Sequence, residues 1–176
     1  IQKIEKQVRV GGDKQAKVAL DVLLKYRDAL SQGKSARTVA LINKDEELVA
    51  KETRLLTSKP VLYVCNVDEN SAVSGNKYVE QVREAVKDEN AQVLIVAAKI
   101  ESEIAELETY EEREMFLAEI GLEESGVSRL IKAAYALLEL RTFLTAGSDE
   151  VRAWTFKAGS KAPQCAGVIH SDFERG

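Results

Sequence analysis

Apolar residues near the start of the chain recur with helical spacing. The first series is Ile1, Ile4 and Val8, and the second, after Gly11-Gly12, is Ala16, Ala19, Leu23, Tyr26 and Leu30. Spacings of three and four predict helices over residues 1–10 and 14–32 that pack as a coiled-coil arm. The paired glycines indicate a break between the helices, and Gly33 occupies the position of a helix C-cap. We therefore expect residues 1–40 to form a helical arm.

The pattern changes after a short helix that is predicted around Lys44–Leu56. Continuous apolar runs over 61–65 and 93–96 predict two buried strands of a parallel sheet, with an amphipathic helix at Lys77–Val86 between them. Two further helices are predicted near 111–120 and 125–140. Because strands and helices alternate, residues 41–140 are expected to form part of an α/β domain.

The last part of the chain has a weaker pattern. From Thr142 onward we predict irregular structure, with strand-like alternation in Val151–Phe156 and turns at Gly147, Gly159 and Pro163. Residues 141–176 are therefore expected to begin a small second domain that the chain does not finish.

Composition is that of a soluble globular protein. Hydrophobic residues make up 45% of the 176 positions and charged residues 31%, and no run of about 18 apolar residues predicts a membrane span. Cys65 and Cys165 are far apart and lack metal-ligand spacing, so we interpret them as core thiols of a cytoplasmic protein. A first residue other than Met and an abrupt end at Arg175-Gly176 suggest a fragment.

The net charge of −4 is unevenly distributed. Residues 1–60 contain 13 Lys and Arg against 8 Asp and Glu, whereas residues 61–176 contain 12 against 21. Ten glutamates and a single Arg lie in the run Glu101–Glu124, which we interpret as a solvated helical face. Such a run repels phosphate, so we expect any RNA contact to lie elsewhere, and nothing in the sequence indicates DNA specificity.

Gly33-Lys34-Ser35 looks like the end of the phosphate-binding loop GxxxxGK[ST], but the first glycine of that motif would fall at Asp28. A phosphate-binding loop also follows a buried strand, whereas a predicted helix precedes this segment. No DxxG segment follows that would hold Mg²⁺ beside a γ-phosphate. The chain is therefore expected to lack the phosphate-binding end of a nucleotide site.

Asn66 directly follows the first predicted strand and opens the segment Asn66-Val67-Asp68-Glu69. Ligands of open α/β sheets bind beyond the carboxyl ends of the strands, so Asn66 is placed to contact one. GTPases have Asn-Lys-x-Asp at this point, and the Asp accepts hydrogen bonds from two guanine donors. Here Val67 replaces the Lys and Glu69 replaces the Asp, so the preference for the base is expected to differ.

The surrounding motifs resemble those of the YchF (Obg-like) ATPase family. The nucleotide-domain motifs are Lys59-Pro60-Val61-Leu62-Tyr63-Val64 with Asn66–Glu69, then Ala98-Lys99-Ile100-Glu101-Ser102-Glu103, and Arg129-Leu130-Ile131-Lys132-Ala133-Ala134-Tyr135. Residues 143–147, 150–155 and 162–174 resemble the TGS domain of that family. The resemblance implies the rear half of a P-loop NTPase (G-type) domain, a helical coiled-coil arm and the start of an α+β, ubiquitin-like TGS domain.

The resemblance also implies a cytosolic ATPase that associates with the ribosome, with ATP as substrate and Mg²⁺ as cofactor. Carried over to this sequence, the nucleotide site comprises Asn66, Val67, Glu69, Ala98 and Lys99. Catalytic residues and Mg²⁺ ligands fall outside the chain, which alone is expected to be inactive. For adenine, we expect the Val67 N–H to meet N1 and the Asn66 oxygen to accept from N6. A carboxylate placed for guanine would remain unpaired, at a cost of about 1–3 kcal/mol.

Three further positions bear on the function of the chain. Ala97 stands where the family usually has Ser, which removes a hydroxyl beside the base. His170 is interpreted as a turn or surface residue rather than a catalytic base. Trp154 is either a core residue or the centre of an RNA-contacting cluster with Arg152, Lys157 and Lys161. The alternative functions are a GTP-binding protein and a non-enzymatic RNA- or ribosome-binding module made by the arm and the TGS domain.

Overall fold

A computed structural model describes residues 1–11, 14–89 and 91–175 of the chain. The chain divides into two compact units, each of which is described by itself. The helical unit comprises residues 1–61 and 82–91, and the sheet unit comprises residues 62–81 and the chain from residue 92 onward. Gly12, part of the predicted break, lies outside the described residues.

The helical unit contains α1 (Gln2–Arg9), α2 (Lys14–Ser31) and α3 (Lys44–Thr53). The first two helices match their predicted bounds closely, and they contact each other. The core of the unit is built on Val22 and Tyr26, one helical turn apart on α2, together with Ala36. Leu30 of the predicted seam is 41% exposed and Leu23 is half-buried, whereas Val22, outside the predicted seam, is fully buried. The predicted seam is therefore wrong in detail.

Three capping positions mark where these helices begin or end. Gly33 adopts a φ of +73°, and the Lys34 N–H donates to the Ala29 carbonyl at 3.0 Å, which is the glycine C-cap that the sequence predicts. Asn43 is the N-cap of α3, and its side chain accepts from the Glu46 N–H at 2.9 Å. Helix α3 ends at Arg54, which has a φ of +51°.

The sheet unit contains a parallel strand pair, β1 (Leu62–Asn66) and β2 (Gln92–Val96). Both strands were predicted, as was α4 (Lys77–Val86) between them in the sequence. Leu94 and Ile95 on β2 are buried, but Val64 on β1 is 47% exposed. The expected burial is therefore wrong for β1, in which no residue is buried; among the described residues β1 has a neighbouring strand on one side only.

Three helices follow β2: α5 (Ala98–Glu106), α6 (Tyr110–Glu119) and α7 (Gly126–Leu137). The first of them was not predicted, although Ile100 and Ile104 have the one-turn spacing of a buried helical face. These isoleucines join Ala72, Ala97 and Leu117 in the core of the unit. The sheet unit thus packs its helices around the loops that follow the two strands.

The last segment is a hairpin followed by two short helices. Strands β3 (Leu140–Ala146) and β4 (Val151–Lys157) pair antiparallel, and α8 (Ala162–Ile169) and α9 (Ser171–Arg175) follow. The prediction of irregular structure from Thr142 and of a helix up to residue 140 is wrong. Helix α7 stops at Leu137, because Glu139 takes a φ of +55°, and the alternating residues after it form a strand. The mixed α/β class is as predicted.

Candidate nucleotide-base site

Asn66 and Ala98 lie where the two parallel strands end. Asn66 is opposite Val96 in the strand register, and its Oδ1 accepts from the Ala98 N–H at 3.1 Å. Ala98 is the first residue of α5, so this bond satisfies one of the N–H groups that a helix leaves unpaired at its start. The Asn66 oxygen keeps a second lone pair, and its amide nitrogen has no partner in the described part of the chain.

Val67 is bonded differently from the sequence-based expectation. Its N–H donates to the Val96 carbonyl at 2.9 Å, continuing the strand ladder by one residue. It is therefore not free to meet adenine N1, and that part of the prediction is wrong. The Val67 carbonyl, by contrast, has no hydrogen-bond partner among residues 1–11, 14–89 and 91–175. The backbone offers an acceptor at this position instead of a donor.

Glu69 and Lys99 form an ion pair that joins the loop after β1 to α5. Lys99 Nζ also lies 3.8 Å from Glu103. The hydrogen bond that Lys99 donates to Glu69, and then the charges of both carboxylates, raise the pKa of Lys99. Exposed ion pairs add little stability, so the main effect of this pair is on the position of the Glu69 side chain. Lys99 occupies the Glu69 carboxylate, which stands where a GTPase presents its Asp.

The remaining residues of the loop are also used internally. The Asp68 carboxylate accepts from the Ser71 N–H at 3.0 Å and so caps the turn that follows it. Ala97 is 3% exposed and packs in the core with Ala72. Ala97 adds no polar group to the site, and one oxygen of Asp68 is already used by the turn.

Glu101 frames the site, so the interpretation of Glu101–Glu124 as a solvated helical face is wrong for this residue. Its carboxylate accepts from the Gly126 N–H at 2.6 Å and the Val127 N–H at 3.2 Å, the first two residues of α7. Negative charge at a helix N-terminus is favourable. A Cβ on Gly126 would lie 2.7 Å from Glu101 Oε1 and 3.2 Å from Val96 Cγ1, so glycine permits this close approach. The available signal was a glycine directly after Ser125, the N-cap of a predicted helix.

His170 stabilises a turn, as one of its two interpretations predicted. It follows α8, and its Nδ1 accepts from the Asp172 N–H at 3.3 Å. The ring also packs edge-on against Phe173.

Trp154 is half-buried on β4 and donates its Nε1–H to Thr145 Oγ1 at 2.9 Å. The Arg152 guanidinium lies 4.3 Å from the centre of the indole ring. Arg152 therefore covers one face of the indole ring. An RNA base that approached this face would meet the Arg152 guanidinium before it met the ring.

No group of three or more His, Cys, Asp or Glu side chains among the described residues is arranged to hold a metal ion. Within the same part of the chain, no helix combines the length and the hydropathy needed to cross a membrane. Cys65 and Cys165 are free thiols, each half-buried rather than in the core.

Comparison with known sequences gives related proteins. The family model YchF-GTPase_C, described as "Protein of unknown function (DUF933)", matches residues 140–176. A protein of Bacillus subtilis (strain 168) named "Ribosome-binding ATPase YchF" is 55% identical over 166 residues, which are 93% of this chain and 45% of that protein. "Obg-like ATPase 1" of Homo sapiens is 39% identical over 180 residues, covering all of this chain and 45% of that protein.

Comparison with solved structures gives the same relationship. The "Structure of the Schizosaccharomyces pombe YchF GTPase" matches with a TM-score of 0.80 and 27% identity. The match covers 99% of this chain and 48% of that one. The chain therefore spans less than half the length of the relatives that it matches.

Proposed function

Since this chain belongs to the YchF family of nucleotide hydrolases, we propose that it supplies the base-binding part of an ATP site in a longer, ATP-hydrolysing protein. In this proposal residues 41–140 are the rear part of the nucleotide domain, residues 1–40 its arm, and residues 141–176 the start of the TGS domain. The names of the relatives include both ATPase and GTPase. The choice of base is therefore argued from the groups of this chain.

The unpaired Val67 carbonyl beside Asn66 carries the proposal. Adenine has an amino group at position 6, which donates to a carbonyl, whereas guanine has an oxygen there, which does not. The Asn66 amide nitrogen can donate to a ring nitrogen of the same base. Glu69, bound to Lys99, is not held free for the two guanine donors. Placing guanine here would leave two acceptors facing each other, at a cost of about 1–3 kcal/mol.

Phosphate and Mg²⁺ are assigned to the rest of the longer protein. The sequence contains neither GxxxxGK[ST] nor DxxG, and the described residues do not form a carboxylate cluster that fits Mg²⁺. The proposal therefore assigns base binding, and no hydrolysis, to this chain alone. A cytoplasmic location belongs to the same proposal, because relatives are named as ribosome-binding.

Nucleosides test the base preference without the phosphate site. The ¹⁵N-labelled chain is titrated with adenosine and with guanosine, and amide shifts are followed by NMR. Adenosine should shift the amides of Asn66, Val67, Ala98 and Lys99 and bind about fivefold or more tightly than guanosine.

The control uses a second asparagine of the same loop. Asn66→Ala should weaken adenosine binding, whereas Asn70→Ala, at an exposed position, should not. Equal shifts by both nucleosides, or a preference for guanosine, would contradict the proposal.

A second candidate function is ribosome association through the arm. Lys3, Lys6 and Lys17 are exposed and have no ion-pair partner in the described part of the chain, and Lys14 lies 3.9 Å from Asp45 at the surface. Cations of this kind bind RNA phosphate by releasing counterions. Changing these four lysines to Glu should abolish co-sedimentation with ribosomes at low salt. Changing the exposed acids Glu106, Glu108, Glu111 and Glu119 to Gln should leave co-sedimentation intact; the opposite result would remove the arm as the contact.

A further inference from the structure

A cavity of about 520 Å³ lies in the helical unit, in a region that the base site does not use. Leu41, Ala50, Leu55 and Pro60 form apolar parts of its wall, and Tyr26 lines it as well. Cavities of this size, with an apolar wall and a few polar groups, bind small organic molecules. The polar groups of the wall therefore indicate the ligand.

Tyr26 provides an unused hydrogen-bonding group in this cavity. The residue is only 3% exposed, yet its hydroxyl has no hydrogen-bond partner among the described residues. The hydroxyl oxygen is not itself fully buried, so water in the cavity can reach it and a polar group of a ligand can replace that water. Burial also raises the pKa of Tyr26 above its ordinary value, so the hydroxyl stays protonated at neutral pH and can donate.

The rim of the cavity carries an excess of positive charge. Lys51, Arg54 and Lys59 line it, and none of them has an ion-pair partner in residues 1–11, 14–89 or 91–175. Arg37 also lines the cavity, but it is bound to Glu89, at 2.9 Å between Nη1 and Oε2. The carboxylate of Glu89 is thereby neutralised, and three cations remain available for an anion.

Arg54 occupies a backbone position that suits glycine better. Its φ of +51° lies in the left-handed region, where a side chain is unfavourable and where glycine commonly ends a helix. The chain thus holds an arginine at the rim of the cavity against the local backbone preference.

We propose that the Tyr26 cavity binds a phosphate ester of a ring-sized apolar group. The phosphate would lie among Lys51, Arg54 and Lys59, with the ring against the apolar wall and an ester oxygen accepting from the Tyr26 hydroxyl. A phosphate monoester carries close to two negative charges at neutral pH and accepts several charge-assisted hydrogen bonds. Inorganic phosphate leaves the apolar wall unused, and a neutral ring leaves the three cations without a counter-charge.

Three probes separate these contributions in NMR titrations of the ¹⁵N-labelled chain. Phenyl phosphate should saturate shifts at the amides of Ala50, Lys51 and Leu55, with a Kd on the order of 1 mM or lower. Inorganic phosphate and benzyl alcohol should each bind roughly tenfold more weakly at the same amides. The proposal is overturned if phenyl phosphate gives no saturable shifts there, or if benzyl alcohol binds as tightly.

Matched variants test the named groups. Tyr26→Phe should weaken phenyl phosphate binding about fivefold, and the triple variant Lys51→Gln, Arg54→Gln, Lys59→Gln roughly tenfold or more. The triple variant Lys3→Gln, Lys6→Gln, Lys17→Gln removes the same charge from the arm and should bind as the original chain does. Equal weakening in both triple variants would overturn the proposal, because it would assign binding to overall charge.

Arg54→Gly tests the role of Arg54 with a variant that is not expected to unfold the chain. Glycine relieves the left-handed backbone, so its Tm should rise while phenyl phosphate binding weakens. A variant that is more stable and binds equally well would remove Arg54 from the site and overturn its assigned role.

Discussion

Glu101 lies beside the base site, and Glu46 joins two helices of the unit that contains the Tyr26 cavity; only Glu46 binds a charged side chain. Glu101 accepts from two backbone N–H groups at the start of α7, at 2.6 and 3.2 Å. Glu46 is 4% exposed and accepts from Lys25 Nζ at 2.9 Å and from the Ile42 N–H at 3.0 Å. By binding Lys25, Glu46 holds α3, which carries Lys51, to α2, which carries Tyr26.

The difference lies in what happens to each partner when the glutamate is lost. The Gly126 N–H is part of a buried helix start and cannot turn to another acceptor. Lys25 is a flexible side chain that also lies 2.8 Å from Asp21 and keeps that partner. Losing Glu101 should therefore leave an unpaired buried donor in the sheet unit. Losing Glu46 leaves Lys25 bound to Asp21, and it leaves the Ile42 N–H at an exposed residue, where water can bind it.

The largest effect is expected for Glu101→Ala. It leaves the Gly126 N–H unpaired and removes a carboxylate from a helix N-terminus, so we expect the free energy of unfolding to fall by about 2–3 kcal/mol. Thermal melting followed by circular dichroism measures it. Glu106→Ala, at an exposed position at the C-terminal end of the same helix, is the matched control and should change little. If both variants melt alike, Glu101 does not frame the site.

The strands around the base site could be predicted from the sequence for a simple physical reason. A continuous apolar run is typical of a strand in a parallel sheet, and a polar residue directly after it marks the carboxyl end, so Asn66 was found from local pattern alone. Helix α4 was found with its observed bounds, Lys77–Val86, because its apolar residues recur with helical spacing.

The contacts that decide chemistry could not be predicted in this way, because they join residues distant in sequence. The Glu101–Gly126 bond spans 25 positions. The bond from the Val67 N–H to the Val96 carbonyl depends on strand register, and it reversed the expected hydrogen-bonding role of Val67. The unpaired hydroxyl of Tyr26 is invisible in a pattern that marks this residue only as apolar. Strand β3 was missed because Glu139, which ends α7 with a left-handed φ, carries no glycine signal.

A smaller, pH-dependent effect is expected for Glu46→Gln. The hydrogen bond from Lys25, followed by that from the Ile42 N–H, lowers the pKa of Glu46 below its ordinary value of 4.5. The unfolded chain therefore takes up this proton first as the pH falls. The stability that Glu46 contributes is thus fully present above the ordinary pKa and is lost as the pH falls through the lowered, folded-state pKa.

The test compares melting temperatures of the original chain and Glu46→Gln across pH. Because Gln keeps one acceptor and Lys25 keeps Asp21, Glu46→Gln should melt below the original chain by less than Glu101→Ala does. This difference should be constant between about pH 8 and pH 6 and shrink below about pH 4.5. Glu47→Gln removes the same charge from the exposed neighbouring position and should show a smaller difference at neutral pH. A difference for Glu46→Gln that persists unchanged to about pH 3 would mean that packing, rather than the charged Lys25–Glu46 contact, holds α2 to α3.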